Sequence, residues 1–256
     1  VGCPPVMTSF WTWIQPFARV APWIVLLSAA AVFPLLFLVT APYGRHFRPG
    51  WGPAIGSRIG WVAMEWPSVV LFALVWIANP GFGTLLVTAL GLLWLVHYVQ
   101  RTFVFSLLQR SAGRRQAVLT VALANVFNVL NATGNAAALR ERPFDPVFLL
   151  GSVLFLTGLL LNVHSDQLLR RLRAPGETGY KVPFGGGFRY VSAPNYLGEV
   201  VEWIGFALAA QTLAAWAFAA FTFANLAPRA VANHRWYRQR FPDYPGERRA
   251  LIPFVW

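Results

Sequence analysis

Cysteine, lysine and acidic residues are scarce in this chain of 256 residues, which carries a formal net charge of +12. The single cysteine, Cys3, excludes an internal disulfide and any metal site built from several thiolates. The four histidines are scattered and no two lie four residues apart, so we expect no metal site. Acidic residues number 9, and every basic residue except Lys181 is an arginine.

Hydrophobic residues are abundant by contrast. They make up 57% of the chain, charged residues make up 12%, and the mean hydropathy is +0.52. A soluble domain of this length needs more polar surface. The sequence therefore predicts an all-α polytopic membrane protein, a single domain over residues 1–256 with seven transmembrane helices. The predicted spans lie near 20–42, 61–79, 83–99, 117–135, 147–165, 197–211 and 213–232.

The arginine distribution predicts the orientation of these spans. With seven spans, every basic residue except Arg19, Arg140 and Arg142 falls on one side of the membrane. Cytoplasmic loops carry the excess of Lys and Arg, so we expect the N-terminus outside and the C-terminus in the cytoplasm. With six spans the basic tail would lie on the opposite side. This rule also accounts for most of the positive charge, and we expect no nucleic-acid partner.

Several polar residues lie within the predicted spans, where an unpaired charge is costly. Glu199 and Glu202 are three residues apart in "APNYLGEVVEWIGFAL", so they share one face of a helix, and Asn195 lies one turn before Glu199. Asn162 and Asp166 recur with Arg173 at helical spacings of four and seven. A helix end that meets water would explain the arginines of that segment but not its asparagine.

Glu65 and Tyr98 form a second polar pattern. The turn "NPGFG" at 79–83 makes the second and third spans antiparallel neighbours, which places Glu65 and Tyr98 at similar depth. A buried glutamate is expected to be protonated, so that beside a tyrosine hydroxyl it offers two donors to a carbonyl oxygen. A structural hydrogen bond between the two helices is the alternative interpretation.

Longer segments resemble the steroid 5α-reductase family in register from about residue 42 to Trp256. The resemblance implies a seven-helix membrane reductase that uses NADPH to saturate the double bond of a Δ4-3-oxosteroid, with hydride added at C5 and a proton at C4. The segments that carry it are "PYGRH", "HYVQRTFVFSLLQR", "NVHSDQLLRRLRAPGE", "VSAPNYLGEVVEWIGFAL" and "RAVANHRWYRQRFPDYPGERRALIPFVW".

The resemblance also implies roles for individual residues. Glu65 and Tyr98 match the catalytic pair that would polarise the 3-keto oxygen, and Trp61 matches a wall of the substrate site. Asn233 replaces a histidine that is common in the family, and Glu202 is expected to pair with the arginine-rich helix ends. The positions that match cofactor contacts are Asn162, Asp166, Arg173, Tyr180, Asn195, Glu199, Arg229, Asn233, His234 and Tyr237, with Arg110 and Arg114 as phosphate candidates.

The expected partners are a steroid or steroid-like lipid substrate and membrane lipids, and we expect a monomer. The resemblance implies the inner membrane if the chain is bacterial and the endoplasmic reticulum for eukaryotic relatives. Three alternatives stay open. The chain could be a reductase of another conjugated lipid of the enoyl or polyprenol type, a membrane methyltransferase like the isoprenylcysteine methyltransferases, or a sterol-binding protein without catalytic activity.

Overall fold

The computed structural model describes residues 5–40, 44–48, 50–109, 114–172, 174, 177 and 179–256, so Arg110 and Arg173 lie outside the described residues. Within this part of the chain, seven long helices follow one another, and each overlaps one of the predicted spans. The all-α fold is therefore confirmed. The helices are α1 Pro5–Leu38, α2 Ser57–Ile77, α3 Leu85–Val99, α4 Val118–Ala138, α5 Pro146–Arg171, α6 Pro194–Ala210 and α7 Leu213–Arg240.

Within the described residues, four helical stretches are long and apolar enough to cross a membrane. They are Phe10–Leu38, Ser57–Ile77, Leu85–Leu108 and Pro146–Arg171. The other three helices are shorter or more polar. Helix α6 has 17 residues, α4 contains four asparagines, and α7 contains Asn225 and Arg229. These less apolar helices carry many of the polar residues described below.

Helices α5 and α6 touch through their backbones. A Cβ atom added at Gly158 of α5 would lie 2.5 Å from the carbonyl oxygen of Gly198, and one added at Gly198 of α6 would lie 2.5 Å from the backbone nitrogen of Asn162. Gly151 and Gly205 meet in the same way two turns further along. Small residues allow such close helix pairs. The contact brings polar side chains near the end of α5 and the start of α6 within hydrogen-bonding distance.

Trp94 of α3 fixes the centre of the bundle. Its ring stacks on Phe72 of α2, with the centroids 4.6 Å apart, and meets Trp203 of α6 edge-on at 5.2 Å. Its indole N–H donates to the carbonyl of Ser68 over 2.8 Å. Tyr98 lies one turn further along α3, and its ring is 4.9 Å from that of Trp94. The aromatic core thereby sets the position of Tyr98 relative to α2 and α6.

Short elements join the helices at the end where α2 and α4 begin. Two strands, Ala54–Gly56 and Arg115–Ala117, pair antiparallel, so the segments that lead into α2 and α4 lie side by side. The C-terminal segment folds back, and the amide of Ser192 donates to the carbonyl of Arg249 over 2.8 Å. The same tail reaches the loop before α6 again, because Arg248 donates to the carbonyl of Pro183 over 2.9 Å.

Candidate functional site

A group of buried and half-buried polar side chains connects α5 with α6. The side-chain amide of Asn162 donates to the carbonyl of Asn195 over 2.9 Å and lies 3.4 Å from Oε2 of Glu199. The amide of Asn195 donates to Oδ1 of Asp166 over 3.0 Å. The structure thus brings together four residues that the resemblance assigns to the cofactor. We call them, with Arg101, the polar cluster.

Arg101 supplies the positive charge of the polar cluster. Its Nη1 lies 3.3 Å from Oδ2 of Asp166, and its Nη2 lies 3.9 Å from Oε2 of Glu199. The guanidinium also covers the rings of Trp61 and Phe105, 4.6 Å from each centroid. Arg101 lies in a π-helical turn, Gln100–Phe105, that continues α3, and such turns are frequent at functional sites.

The sequence patterns did not single out Arg101, which they count only among the basic residues on one side of the membrane. The available signal was its position three residues after Tyr98, which places both side chains on one face of a helix. Trp61, which the sequence predicts as a wall of the substrate site, reaches the polar cluster through this same arginine.

Glu65 and Tyr98 lie beside the polar cluster. Glu65 is within electrostatic range of Arg101 and Glu199, and Tyr98 is within range of Glu65 and Glu199. The amide of Asn128 on α4 donates to Oε2 of Glu65 over 3.1 Å. In the described part of the chain, no hydrogen bond joins Glu65 to Tyr98. A direct bond between these two side chains is therefore not what connects α2 and α3.

Glu202 has a different partner from the one expected. Its Oε1 lies 2.7 Å from Nδ1 of His97, and the two side chains are 0% and 2% exposed. The predicted pairing with the arginine-rich helix ends is therefore wrong. Glu202 lies three residues beyond Glu199, which is about 4.5 Å deeper along α6, and His97 of α3 occupies that depth. The pair ties α3 to α6 next to Tyr98.

A second group of residues lies near the end of α7. The guanidinium of Arg45 is 5.2 Å, 5.0 Å and 4.5 Å from the ring centroids of Tyr180, Trp236 and Tyr237. The guanidinium of Arg114 is 4.9 Å from the ring of Tyr180. We call these five residues the basic–aromatic cluster. It includes three of the residues that the resemblance assigns to the cofactor.

The two arginines of the basic–aromatic cluster have incompletely paired guanidinium groups. Nη1 of Arg45 and Nη2 of Arg114 are buried, and neither atom has a hydrogen-bond partner among the described residues. No described carboxylate forms an ion pair with either arginine. Buried polar groups are normally satisfied, so these N–H groups are suited to an anion.

Asn233 and Arg229 lie on the same face of α7 as Tyr237, at successive spacings of four residues. Oδ1 of Asn233 accepts a hydrogen bond from Nε2 of His46 over 3.1 Å. Burial lowers the pKa of His46, the bond to Asn233 opposes this effect, and the charges of Arg45 and Arg48 lower the pKa further. His46 is therefore neutral at pH 7, with its proton on Nε2.

His234 takes part in a different contact. Its Nδ1 lies 2.6 Å from Oγ of Ser192, which is also 2.7 Å from the hydroxyl of Tyr244. Ser192 precedes Asn195 of the polar cluster by three residues. His234 thus fixes the segment just before α6, and this contact connects α7 with the start of α6.

The two clusters differ in the ligands that they suit. The polar cluster combines amide and carboxylate oxygens with N–H donors, which fits a neutral amide or hydroxyl group. The basic–aromatic cluster presents guanidinium groups, whose planar fork fits phosphate oxygens. Within the described residues, no group of three or more His, Cys, Asp or Glu side chains could hold a metal ion.

Comparison with known proteins finds relatives that cover most of the chain. A family model described as 3-oxo-5-alpha-steroid 4-dehydrogenase matches residues 114–256. The chain is 43% identical over 235 residues to 3-oxo-5-alpha-steroid 4-dehydrogenase 1 of Bos taurus, which covers 87% of this chain and 91% of the relative. It is 39% identical over 240 residues to steroid 5-alpha-reductase DET2 of Arabidopsis thaliana, covering 87% and 90%. The corresponding human 3-oxo-5-alpha-steroid 4-dehydrogenase 1 is 38% identical over 234 residues, covering 88% and 90%.

Proposed function

Because the chain belongs to the steroid 5α-reductase family of 3-oxo-5-alpha-steroid 4-dehydrogenases, we propose that it reduces the C4–C5 double bond of 3-oxo-Δ4-steroids with NADPH. The family consists of oxidoreductases that act on CH–CH bonds. The observation that supports the proposal for this chain is the position of Glu65 and Tyr98 beside the polar cluster. Two proton donors there could hold one carbonyl oxygen next to a cofactor site.

The residues of both clusters fit NADPH. Oδ1 of Asn162 is buried without a hydrogen-bond partner among the described residues, and it could accept a hydrogen bond from the carboxamide of the nicotinamide. The buried N–H groups of Arg45 and Arg114 could bind phosphate oxygens. Trp236 and Tyr237 hold the guanidinium of Arg45 by cation–π contacts and contribute no negative charge that would repel phosphate.

Glu65 and Tyr98 would act on the substrate. Each donates a hydrogen bond to the 3-keto oxygen, which draws electron density away from C5. When bound, NADPH would supply the hydride for C5, and a proton taken up from solvent at C4 would complete the saturation of the double bond. Negative charge develops on the 3-keto oxygen during this step. Donors fixed in advance by Asn128 and by the Trp94 ring stabilise that charge without reorganising.

We propose further that all seven helices span the membrane, with the N-terminus outside and the C-terminus in the cytoplasm. The seven helices and the one-sided arginine distribution support this topology. The protein would then be an integral membrane monomer that takes its substrate from the lipid phase. A reporter fused after Arg249 should be active only in the cytoplasm, and an external reporter signal would overturn the topology.

The decisive experiment is turnover by the purified protein. We expect consumption of NADPH with testosterone or progesterone and formation of the 5α-reduced product, identified by mass spectrometry. Reduction of an enoyl or polyprenol lipid without any reduction of a Δ4-3-oxosteroid would favour the alternative reductase. Binding of S-adenosylmethionine instead of NADPH would favour the methyltransferase. Steroid binding without turnover would favour a protein that only binds sterols.

A further inference from the structure

Helix α4 carries four asparagines, and two of them bind α2. The amide of Asn125 donates to the carbonyl of Ala63 over 2.7 Å. The amide of Asn128 donates to the carbonyl of Met64 over 2.7 Å and to Glu65 over 3.1 Å. These two residues have a structural role, since they satisfy their donors within the helix pair, and Asn128 also holds Glu65 in place.

Asn131 and Asn135 are different. They are 1% and 2% exposed, and the hydrogen bonds of their side chains within the described residues join them only to each other. The amide of Asn135 donates to the carbonyl and to Oδ1 of Asn131, over 3.1 Å and 2.9 Å. This arrangement leaves Nδ2 of Asn131 and Oδ1 of Asn135 buried without partners in that part of the chain. One free donor and one free acceptor therefore lie together in an apolar interior, where unpaired polar atoms are costly.

The position of Asn131 on α4 shows which way the pair faces. Phe127 stacks on Phe221 of α7, with the centroids 3.8 Å apart, whereas Asn128 faces α2. Asn131 is four residues after Phe127 and three after Asn128, so it lies between these two directions. The unpaired amide atoms thus face the interior between α2 and α7 rather than the lipid.

The pair also lies further along α4 than the contact with Glu65. Asn128 is bonded to Glu65, and Asn131 and Asn135 follow it by three and seven residues. The helical rise places them about 4.5 Å and 10.5 Å further along the axis. The four fused rings of a steroid, with carbon–carbon bonds of about 1.5 Å, separate the C3 oxygen from a C17 oxygen by roughly 10 Å.

We propose that Asn131 and Asn135 bind the oxygen substituent at the C17 end of the steroid whose 3-keto oxygen is held by Glu65 and Tyr98. This inference rests on the proposed function. A 17β-hydroxyl group can accept from Nδ2 of Asn131 and donate to Oδ1 of Asn135, so it satisfies both unpaired atoms. A 17-ketone can only accept, and a steroid without oxygen at C17 satisfies neither. The asparagine pair therefore determines specificity and takes no part in the chemical step.

The test compares three substrates that differ only at C17, namely testosterone, androst-4-ene-3,17-dione and androst-4-en-3-one. For the wild type we expect kcat/KM to fall in that order, by about tenfold or more between the first and the last. In Asn131→Leu and Asn135→Leu this ratio should approach one, because leucine keeps the bulk and removes the polar atoms. Asn125→Leu makes the same substitution on another face of α4, so the ratio of kcat/KM between the first and the last steroid should stay at the wild-type value.

The outcomes separate the inference from the proposed function. A wild type that reduces all three steroids with equal kcat/KM overturns the inference and leaves the reductase activity intact. A wild type that reduces none of them overturns both. If Asn131→Leu does not fold, Asn131→Ser provides the milder change, and an unaltered ratio in a folded Asn131→Ser and Asn135→Leu contradicts the assignment.

Discussion

The polar cluster and the basic–aromatic cluster differ in how they compensate the positive charge of their arginines. Arg101 meets two carboxylates, those of Asp166 and Glu199, inside the helix bundle. Arg45 and Arg114 meet aromatic rings, and no described carboxylate pairs with them. A cation over an aromatic face gains about 0.5–2 kcal/mol, which orients the guanidinium but leaves its positive charge in place.

This difference indicates what each cluster contributes without a ligand. The positive charge of the polar cluster is already paired with carboxylates, although Oδ1 of Asn162 has no hydrogen-bond partner among the described residues. The cluster therefore contributes to the stability of the ligand-free bundle and is already arranged for binding. The basic–aromatic cluster retains an excess of positive charge and becomes balanced only when an anion binds. Substitutions in the first cluster should therefore lower the stability of the ligand-free protein, and substitutions in the second should mainly lower affinity for NADPH.

The largest expected effect concerns Arg101. Replacing it with methionine leaves the carboxylates of Asp166 and Glu199 without a counter-charge, which should lower the free energy of unfolding by about 3–5 kcal/mol. Arg115→Met is the matched control, because Arg115 is exposed and should change the stability by less than about 0.5 kcal/mol. Thermal unfolding of both variants in detergent tests this. Equal midpoints would show that the polar cluster is not a stabilising network.

The second prediction concerns catalysis, and its substitutions should leave both clusters intact. Glu65→Leu and Tyr98→Phe each remove one donor to the 3-keto oxygen, so we expect turnover to fall by about 10²–10³. Glu65→Gln keeps a donor and should retain more activity than Glu65→Leu. Affinity for NADPH should change little, because its proposed contacts lie on other residues.

Single-turnover rates, NADPH affinities and melting temperatures of these three variants provide the measurement. A purely structural role for Glu65 and Tyr98 predicts that activity, affinity and stability fall together. Unchanged turnover in Tyr98→Phe would show that the hydroxyl of Tyr98 is not a donor to the 3-keto oxygen.

The third prediction concerns the contact between α5 and α6. This contact positions residues of the polar cluster but none of the basic–aromatic cluster. In Gly158→Ala the new methyl group would lie 2.5 Å from the carbonyl oxygen of Gly198, so the helices must separate. We expect a loss of about 3 kcal/mol in stability. Gly246→Ala is the control, since nothing lies within 4 Å of a Cβ atom there. A Gly158→Ala variant with the wild-type melting temperature would contradict this packing.

The helices could be predicted from the sequence more completely than the contacts among their polar residues. Apolar segments located all seven helices, although α1 begins at Pro5, well before the predicted start near residue 20, and contains Pro16 and Pro22. A proline inside a helix removes one hydrogen bond, and the remaining turns of α1 tolerate that loss. Sequence spacing also grouped Asn162 with Asp166 and Asn195 with Glu199, because each pair lies one turn apart on a single helix.

Contacts between helices depend on the relative heights of the helices in the bundle. Residue spacing within one helix does not give these heights. The pairing of His97 with Glu202 requires the relative heights of α3 and α6, which no spacing within one helix contains. Spacing places Arg101 on the same helix face as Tyr98, but its contacts with Asp166 of α5 and Glu199 of α6 depend on how the three helices pack. The cage around Arg45 joins residues more than a hundred positions apart in the sequence.

A smaller effect is expected from the basic–aromatic cluster. Arg45→Met keeps contact with the rings and removes the charged donor, so the affinity for NADPH should fall by the roughly 1.5–3 kcal/mol of a charge-assisted hydrogen bond. The melting temperature of the ligand-free protein should stay near that of the wild type. Arg48→Met is the control, because Arg48 is exposed and its guanidinium lies over the ring of Trp51, outside the basic–aromatic cluster. Titration calorimetry with NADPH and NADH measures the effect, and equal affinities of wild type and Arg45→Met would remove Arg45 from the phosphate site.

The smallest effect is a pH dependence that originates at His46. Its pKa is lowered in the folded protein, mainly by burial and further by the charges of Arg45 and Arg48, and Arg235 lines the same cleft. The unfolded chain therefore binds a proton more readily, so the stability that neutral His46 contributes is present above pH 6.5 and is lost as the pH falls below that value. His46→Gln keeps a donor for Asn233 and cannot titrate.

We therefore expect the melting temperature of the wild type to fall more than that of His46→Gln between pH 7.5 and pH 5.5. A bound anion would offset the arginine charges that disfavour protonated His46, so saturating NADPH should reduce this difference. Parallel pH profiles for the two proteins without ligand would show that His46 is not the titrating group. A difference that persists unchanged with NADPH would show that the anion binds elsewhere, and the contrast between the two clusters would then lose its basis.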